Sequence, residues 1–149
     1  MIKKLPLLFV LLLGMLNVQA QDSVQYRMIL IGDAGEIDMQ QSAVLKHAAA
    51  NILKNKTSVF YLGDNIYPRG MGLPGSLEEA QTKKILQSQY QPMRAAGAPV
   101  YFIPGNHDWD KMGPLGLAKI KRQWEFLDQQ GDKLLKMVPE NGCPDPVEI

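Results

Sequence analysis

The sequence predicts a layered α/β fold, because short apolar runs alternate with amphipathic stretches of helical length. Each apolar run is rich in Val, Ile, Tyr or Phe and is bounded by Gly or Pro, which is typical of buried parallel strands. The three runs occupy residues 26–31, 58–62 and 98–103. Strands and helices that alternate in this way predict a βαβαβ unit with right-handed crossovers, whose site lies beyond the carboxyl ends of the strands.

Three helices are predicted from the spacing of apolar residues and from capping signals. Their expected ranges are residues 38–54, 76–97 and 115–130. Asp38 is positioned to cap the first helix, which has apolar residues at spacings of three and four. Ser76 and Glu79 form the sequence pattern of a capping box at the start of the second helix.

The first 20 residues have the pattern of a cleaved export signal. Lys3 and Lys4 give a positive start, residues 5–16 are apolar, and Ala20 ends a plausible cleavage site. The apolar stretch is shorter than the roughly 18 to 20 residues that span a membrane. We therefore predict cleavage of residues 1–20 and export to the periplasm, the cell surface or the medium, with a membrane anchor as the alternative.

Charge and cysteine content narrow the possible partners of the remaining residues 21–149. Without Lys3 and Lys4 the chain has 14 basic and 15 acidic residues, so no general attraction to nucleic acid or anionic lipid is expected. Cys143 is the single cysteine. It cannot form an internal disulfide, and in an exported protein it is buried, reactive or paired with a cysteine elsewhere.

Three short polar motifs directly follow the three predicted strands. They are Gly32-Asp33-Ala34-Gly35, Gly63-Asp64-Asn65-Ile66-Tyr67 and Gly105-Asn106-His107-Asp108. We expect them to meet at one edge of a parallel sheet. Asp33 and Asp64 offer carboxylates and Asn106 offers an amide oxygen, which suit hard cations. One carboxylate can bridge two ions roughly 3.5 to 4 Å apart.

Tyr67 and His107 add two further functional groups. A phenol loses its proton only near pH ~10, so it suits a strongly Lewis-acidic trivalent ion better than a divalent one. His107 follows Asn106 directly, so its ring can face a substrate while Asp108 orients it. The alternatives are that Tyr67 is an aromatic wall of the pocket and that any single Gly-Asp motif is only a turn.

The ordered set Asp-x-Gly, Gly-Asp-x-x-Tyr and Gly-Asn-His-Asp resembles the first half of the metal site of the purple acid phosphatases. These enzymes are a branch of the calcineurin-like metallophosphoesterases. In the wider superfamily the first motif is Asp-x-His, and Gly35 stands at the position of that histidine. The resemblance covers residues 28–109. It implies a two-sheet sandwich with flanking helices, of which this chain represents the N-terminal βαβαβ half.

The resemblance also implies a role for each site residue. Asp33 and Tyr67 would bind a ferric ion, Asp64 would bridge the two metals, and Asn106 would bind a divalent iron, zinc or manganese ion. His107 would hold the phosphate and protonate the leaving oxygen. A hydroxide activated by the two metals would attack phosphorus in line. The implied substrate is a small phosphorylated molecule.

The family pattern continues with a lone histidine and a Gly-His-x-His pair, which this sequence does not contain. The other histidine, His47, lies in the first predicted helix and is expected to face solvent. We therefore expect residues 21–149 to be the N-terminal part of a longer domain. Four ligands cannot satisfy two ions that each take five or six, so this chain alone is expected to bind two metals weakly or not at all.

The implied function is hydrolysis of phosphate monoesters by an exported metalloenzyme. The alternatives are the same chemistry on diesters or nucleotides, and a non-catalytic exported binding module.

Arg69, in a Gly- and Pro-rich loop, could contact a substrate phosphate. Trp109 could stack on a leaving group or cover the core. A nucleotide-binding loop is disfavoured because the chain has no Gly-Lys-Ser/Thr motif.

Overall fold

A computed structural model describes residues 24–142 of the chain. The strands are β1 (Arg27–Ile31), β2 (Thr57–Tyr61), β3 (Val100–Phe102) and β4 (Leu135–Met137). The helices are α1 (Met39–Ala50), α2 (Glu79–Ala95) and α3 (Gly116–Asp128). The predicted export signal and the turn at Cys143 lie outside the described residues. Within the described range, no helix is both long and apolar enough to cross a membrane.

The four strands form one parallel sheet in the order β1-β2-β3-β4. Val59 in β2 is opposite Ile29 in β1 and Val100 in β3. Because each strand pairs with the next one in the chain, right-handed crossovers place all three helices on the same face of the sheet. The predicted α/β fold is confirmed, with β4 as an additional parallel strand.

The core lies between this face of the sheet and the helices. Side chains at alternate strand positions are buried there, and they include Ile31, Val59, Tyr61, Val100, Phe102, Leu135 and Met137. The Tyr61 and Phe102 rings stack with their centroids 4.6 Å apart. The Tyr61 hydroxyl donates to the Gln89 carbonyl at 2.7 Å, which satisfies the phenol in the core and ties β2 to α2.

Two strands differ from the sequence prediction. β4 was not predicted because it has only three residues and carries exposed Lys136 between its two buried neighbours. β1 was predicted to be buried, but Met28 and Leu30 are 59% and 57% exposed in the described part of the chain. They project from the face that no described helix covers. The alternation of exposure therefore follows from β1 being packed on one face only.

The helix ends also test the capping signals. Asp38 caps α1 as predicted, since its Oδ1 accepts from the Gln41 backbone amide at 2.7 Å. The predicted capping box at Ser76 is wrong, because α2 begins at Glu79 and the Ser76 hydroxyl has no hydrogen-bond partner in the described residues. The Glu79 carboxylate instead accepts from the Gly75 amide at 2.8 Å.

Glu79 also links α2 to α3 through charge. Its Oε1 lies 2.6 Å from Lys83 Nζ and 3.2 Å from a terminal nitrogen of Arg122. The hydrogen bond from Lys83, together with that from the Gly75 amide, lowers the pKa of Glu79 to about 2. The side chain is therefore ionised at neutral pH, and it holds the start of α2 against α3.

Candidate metal centre

Asp33 and Asp64 occupy equivalent turns, two residues after the end of β1 and three residues after the end of β2. Both adopt left-handed backbone conformations, with φ values of 55° and 54°. Asp enters this region more readily than most residues other than glycine. The Asp33 amide donates to the Gly63 carbonyl at 3.2 Å, so the first turn is joined directly to the second.

Tyr67 brings the two carboxylates together. Its hydroxyl lies 2.6 Å from Asp33 Oδ1 and 3.3 Å from Asp64 Oδ2. Two carboxylates, one from each of the first two motifs, are therefore within hydrogen-bonding distance of the Tyr67 phenolic oxygen. The predicted convergence of these two motifs at the edge of the sheet is observed.

His107 joins the third motif to this cluster through its backbone and its ring. Its amide donates to Asp64 Oδ1 at 3.1 Å, and its ring packs edge-on against Tyr67 with the centroids 4.5 Å apart. Nδ1 lies 2.8 Å from the Pro68 carbonyl oxygen. Because a carbonyl only accepts, Nδ1 carries the hydrogen in this contact. The ring can then exchange a second proton only at Nε2.

Asn106 lies beside His107 and is exposed. Its backbone carbonyl accepts from the Lys111 amide at 2.9 Å, while its side chain makes no hydrogen bond with another described residue. The amide oxygen is therefore unpaired. His47 is exposed on α1, as predicted, and does not join the cluster.

Asp108 is fully buried and holds the second and third motifs together. Its carboxylate accepts from three backbone amides, those of Asn65 at 3.1 Å, Ile66 at 3.0 Å and Gly105 at 2.8 Å. The Asn65 side-chain amide donates to it at 3.2 Å. Burial raises the pKa of Asp108 to about 6, against the lowering effect of the hydrogen bonds.

The expected contact between Asp108 and His107 is not observed. The Asp108 carboxylate is turned toward buried backbone donors, because a buried carboxylate needs several donors to offset its lost hydration. The His107 ring is positioned instead by Pro68 and Tyr67. Asp108 therefore acts in this structure on the loops that carry the site, rather than on the imidazole directly.

Gly35 lies where the first motif approaches the second most closely. A Cβ atom at this position would be 2.7 Å from both the Asp64 carbonyl oxygen and the Tyr67 amide nitrogen. The Gly35 carbonyl accepts from that same Tyr67 amide at 3.0 Å. A histidine at this position would require the two loops to move apart. The absence of a side chain at Gly35 therefore allows the close packing of the loops that positions Tyr67.

The donor set fits a hard cation. Two carboxylates and a phenol supply only oxygen atoms at this cluster, which such ions prefer. Within the described residues, however, no group of three His, Cys, Asp or Glu side chains could hold a metal. The pKa of Tyr67 is raised, first by its hydrogen bond to Asp33 and then by burial and the charge of Asp64. The same carboxylates would stabilise a cation in place of that phenolic proton.

Beside the cluster, ion pairs that the sequence did not predict hold the loop after Tyr67 in place. Buried Asp110 lies 3.2 Å from Lys119 Nζ and 3.6 Å from Arg69. Arg69 remains 61% exposed and is free to contact a ligand. Trp109 packs against the core, which favours its structural interpretation.

Comparison with protein families places these motifs in a known group. The sequence matches the family model for calcineurin-like phosphoesterases over residues 26–141, which is well over half of the chain and includes all three motifs. Comparisons with curated proteins and with solved structures gave no match. Members of this family are phosphoester hydrolases that typically bind two metal ions. The chain belongs to the calcineurin-like phosphoesterase family.

Proposed function

We propose that this protein hydrolyses phosphate monoesters with the help of two metal ions, in the manner of the purple acid phosphatases. Family membership supports phosphoester hydrolysis in general. The observation that carries the narrower proposal is the position of Tyr67, whose hydroxyl lies 2.6 Å from Asp33 and 3.3 Å from Asp64. A phenol at a centre of hard oxygen ligands suits a ferric ion.

The proposed ligands divide between two positions. Asp33 and Tyr67 would hold a ferric ion, Asp64 would contact both ions, and Asn106 would hold a divalent iron, zinc or manganese ion. When bound, such a pair supplies Lewis acidity toward the phosphoryl oxygens and lowers the pKa of water. Asn106 is exposed in the third motif, and its place in this set rests on the resemblance of that motif to the purple acid phosphatase pattern.

His107 is proposed to act as the general acid. Because Nδ1 donates to the Pro68 carbonyl, the proton available to a substrate is the one on Nε2. The edge-on contact with Tyr67 holds the ring plane beside the ligand cluster. Transfer of the Nε2 proton to the leaving oxygen would release the alcohol in neutral form. Asp108 would contribute by fixing the loops that present His107 and Asp64.

The same proposal extends to the location of the protein and to the extent of its domain. We propose export, supported by the basic start at Lys3 and Lys4 and by the apolar stretch of residues 5–16. We also propose that residues 21–149 form the N-terminal part of the phosphoesterase domain. The support is that the purple acid phosphatase pattern requires histidine ligands beyond the four residues identified here.

The ferric assignment predicts a visible absorption band in the iron-loaded full-length protein, of which residues 21–149 are proposed to be the N-terminal part, and Tyr67→Phe should abolish it. Phe keeps the aromatic ring beside His107 but removes the oxygen that would donate charge to the metal. Tyr101→Phe is the matched control, because Tyr101 stacks on Phe60 in β2 and is not part of the cluster. Visible spectra of the three iron-loaded proteins provide the test. A colourless protein that is fully active with two divalent ions would rule out the ferric assignment.

A further inference from the structure

A groove lies beside Tyr67, along the loop that follows the second motif. It has a volume of about 570 Å³, within the range typical of small-molecule sites. Tyr67 lines one part of it, and the walls come from residues 68–78, from α2 and from the start of α3. Because the Tyr67 hydroxyl touches Asp33 and Asp64, the groove adjoins the place where a phosphate would be cleaved.

The groove is mainly apolar, and its wall also carries two cations and one carboxylate. Its apolar side chains are those of Leu73, Leu77, Ile85 and Leu115. Leu77 is 98% exposed and Leu115 is 47% exposed, so both leave apolar surface open to a ligand. Arg69, Lys119 and Glu78 also line the groove, and both cations pair with Asp110. An apolar channel with cations beside a phosphate centre is complementary to an ester that joins phosphate to an apolar alcohol.

Backbone contacts hold the groove in shape without a ligand. The Gly72 amide donates to Thr82 Oγ1 at 3.0 Å, and a Cβ atom at Gly72 would lie 2.6 Å from the Glu79 amide nitrogen. Lys119 Nζ donates to the Arg69 carbonyl at 2.6 Å. These contacts fix the loop against both α2 and α3. A preformed groove requires little ordering when a ligand binds.

The wall of the groove also contains an unpaired polar atom. Ser76 lines the groove, and its hydroxyl oxygen is buried with no hydrogen-bond partner in the described residues. A buried hydroxyl without a partner is unusual in proteins. That oxygen is closed off from the groove in this structure, so a ligand would contact the apolar walls rather than the Ser76 hydroxyl.

We infer that this groove binds the alcohol part of the substrate and selects phosphate monoesters of apolar, ring-sized alcohols and phenols. The inference rests on the proposed phosphatase function and adds a substrate class to it. Phosphate would lie at the metal centre, and the apolar body would extend past Tyr67 toward Leu77 and Leu115. Small or strongly polar esters would leave the groove unfilled and would bind less tightly.

The test compares 2-naphthyl phosphate with phenyl phosphate, which share a phosphate and an aryl leaving group but differ in apolar size. Binding is followed by shifts of backbone amide NMR signals in the intact protein, so no turnover is required. We expect the naphthyl ester to bind about tenfold more tightly and to shift the amides of Leu73, Leu77 and Thr82. Where the protein turns over, kcat/KM should show the same preference.

Leu77→Asn should reduce the preference for the naphthyl ester to about twofold or less. Its side chain is almost fully exposed, so the variant should fold, and a neutral replacement leaves the attraction for phosphate unchanged. Leu134→Asn is the matched control, since Leu134 is 47% exposed and lies outside the groove. It should keep the full preference.

The outcomes separate this inference from the proposed function. Selective naphthyl binding at the groove, without hydrolysis of either ester by the metal-loaded full-length protein, would support the groove as a binding site and contradict the phosphatase function. Hydrolysis of both esters with equal affinity and equal kcat/KM would overturn the groove inference and leave the phosphatase function in place. A preference that survives Leu77→Asn would overturn it as well.

Discussion

Asp108→Ala should lower the free energy of unfolding by about 3 kcal/mol or more, which is one of the two largest effects we expect. The substitution leaves the backbone amides of Asn65, Ile66 and Gly105 without their acceptor in a buried place. Each buried donor left unpaired costs about 1–3 kcal/mol, and water entering the space would offset part of that cost. Urea unfolding of the metal-free protein measures the change.

Asp128→Ala is the control for this prediction, because Asp128 is exposed at the end of α3. An exposed substitution of this kind should change the free energy of unfolding by less than about 0.5 kcal/mol. If Asp108→Ala were as mild as the control, the buried carboxylate would not be what holds the second and third motifs together.

His107→Ala should lower kcat of the metal-loaded full-length protein by about 10²- to 10⁴-fold while the metal content stays unchanged. The ring lies beside Tyr67 and donates to Pro68, and the proposed ligands are other residues. Removing it should therefore remove the proton donor but leave the ligand set. The measurement is kcat for phenyl phosphate together with the metal content of the same sample.

His47→Ala provides the histidine control, since His47 is exposed on α1, and it should leave kcat unchanged. Unchanged turnover in His107→Ala would contradict the general-acid role. A variant that lost metal and turnover together would contradict the proposed division between ligands and acid. A non-catalytic binding module would show no turnover in the parent protein and no change in either variant.

Most of the fold could be predicted because β1, β2, β3 and the three helices each carry a local signal. In the run of residues 58–62 only Ser58 is polar, and such runs belong to a strand covered by neighbours. β4 has only the sequence Leu-Lys-Met, which contains no such signal, and its pairing with β3 depends on the tertiary fold. The exposure of Met28 shows the same limit, since a sequence does not reveal which face of a strand is covered.

The site was partly predictable, because its residues follow strands that local sequence signals reveal. Asp33, Asp64 and Tyr67 follow strands that end at one edge, so their proximity follows from topology, while their role as metal ligands stays a prediction. The partners of Asp108 could not be predicted, because Asn65 lies 43 residues away in the chain. That contact depends on the loops packing backbone to backbone, which leaves no spacing pattern in the sequence.

Binding of Mn²⁺ tests most directly whether this cluster is a metal centre. Mn²⁺ prefers oxygen ligands and broadens the NMR signals of nearby nuclei. In a titration of the protein, we expect the amides of Asp33, Asp64 and Asn106 to broaden first, and Asp64→Asn to abolish this local effect while Asp128→Asn preserves it. Broadening centred elsewhere on the surface, or unchanged by Asp64→Asn, would contradict a metal centre at these motifs.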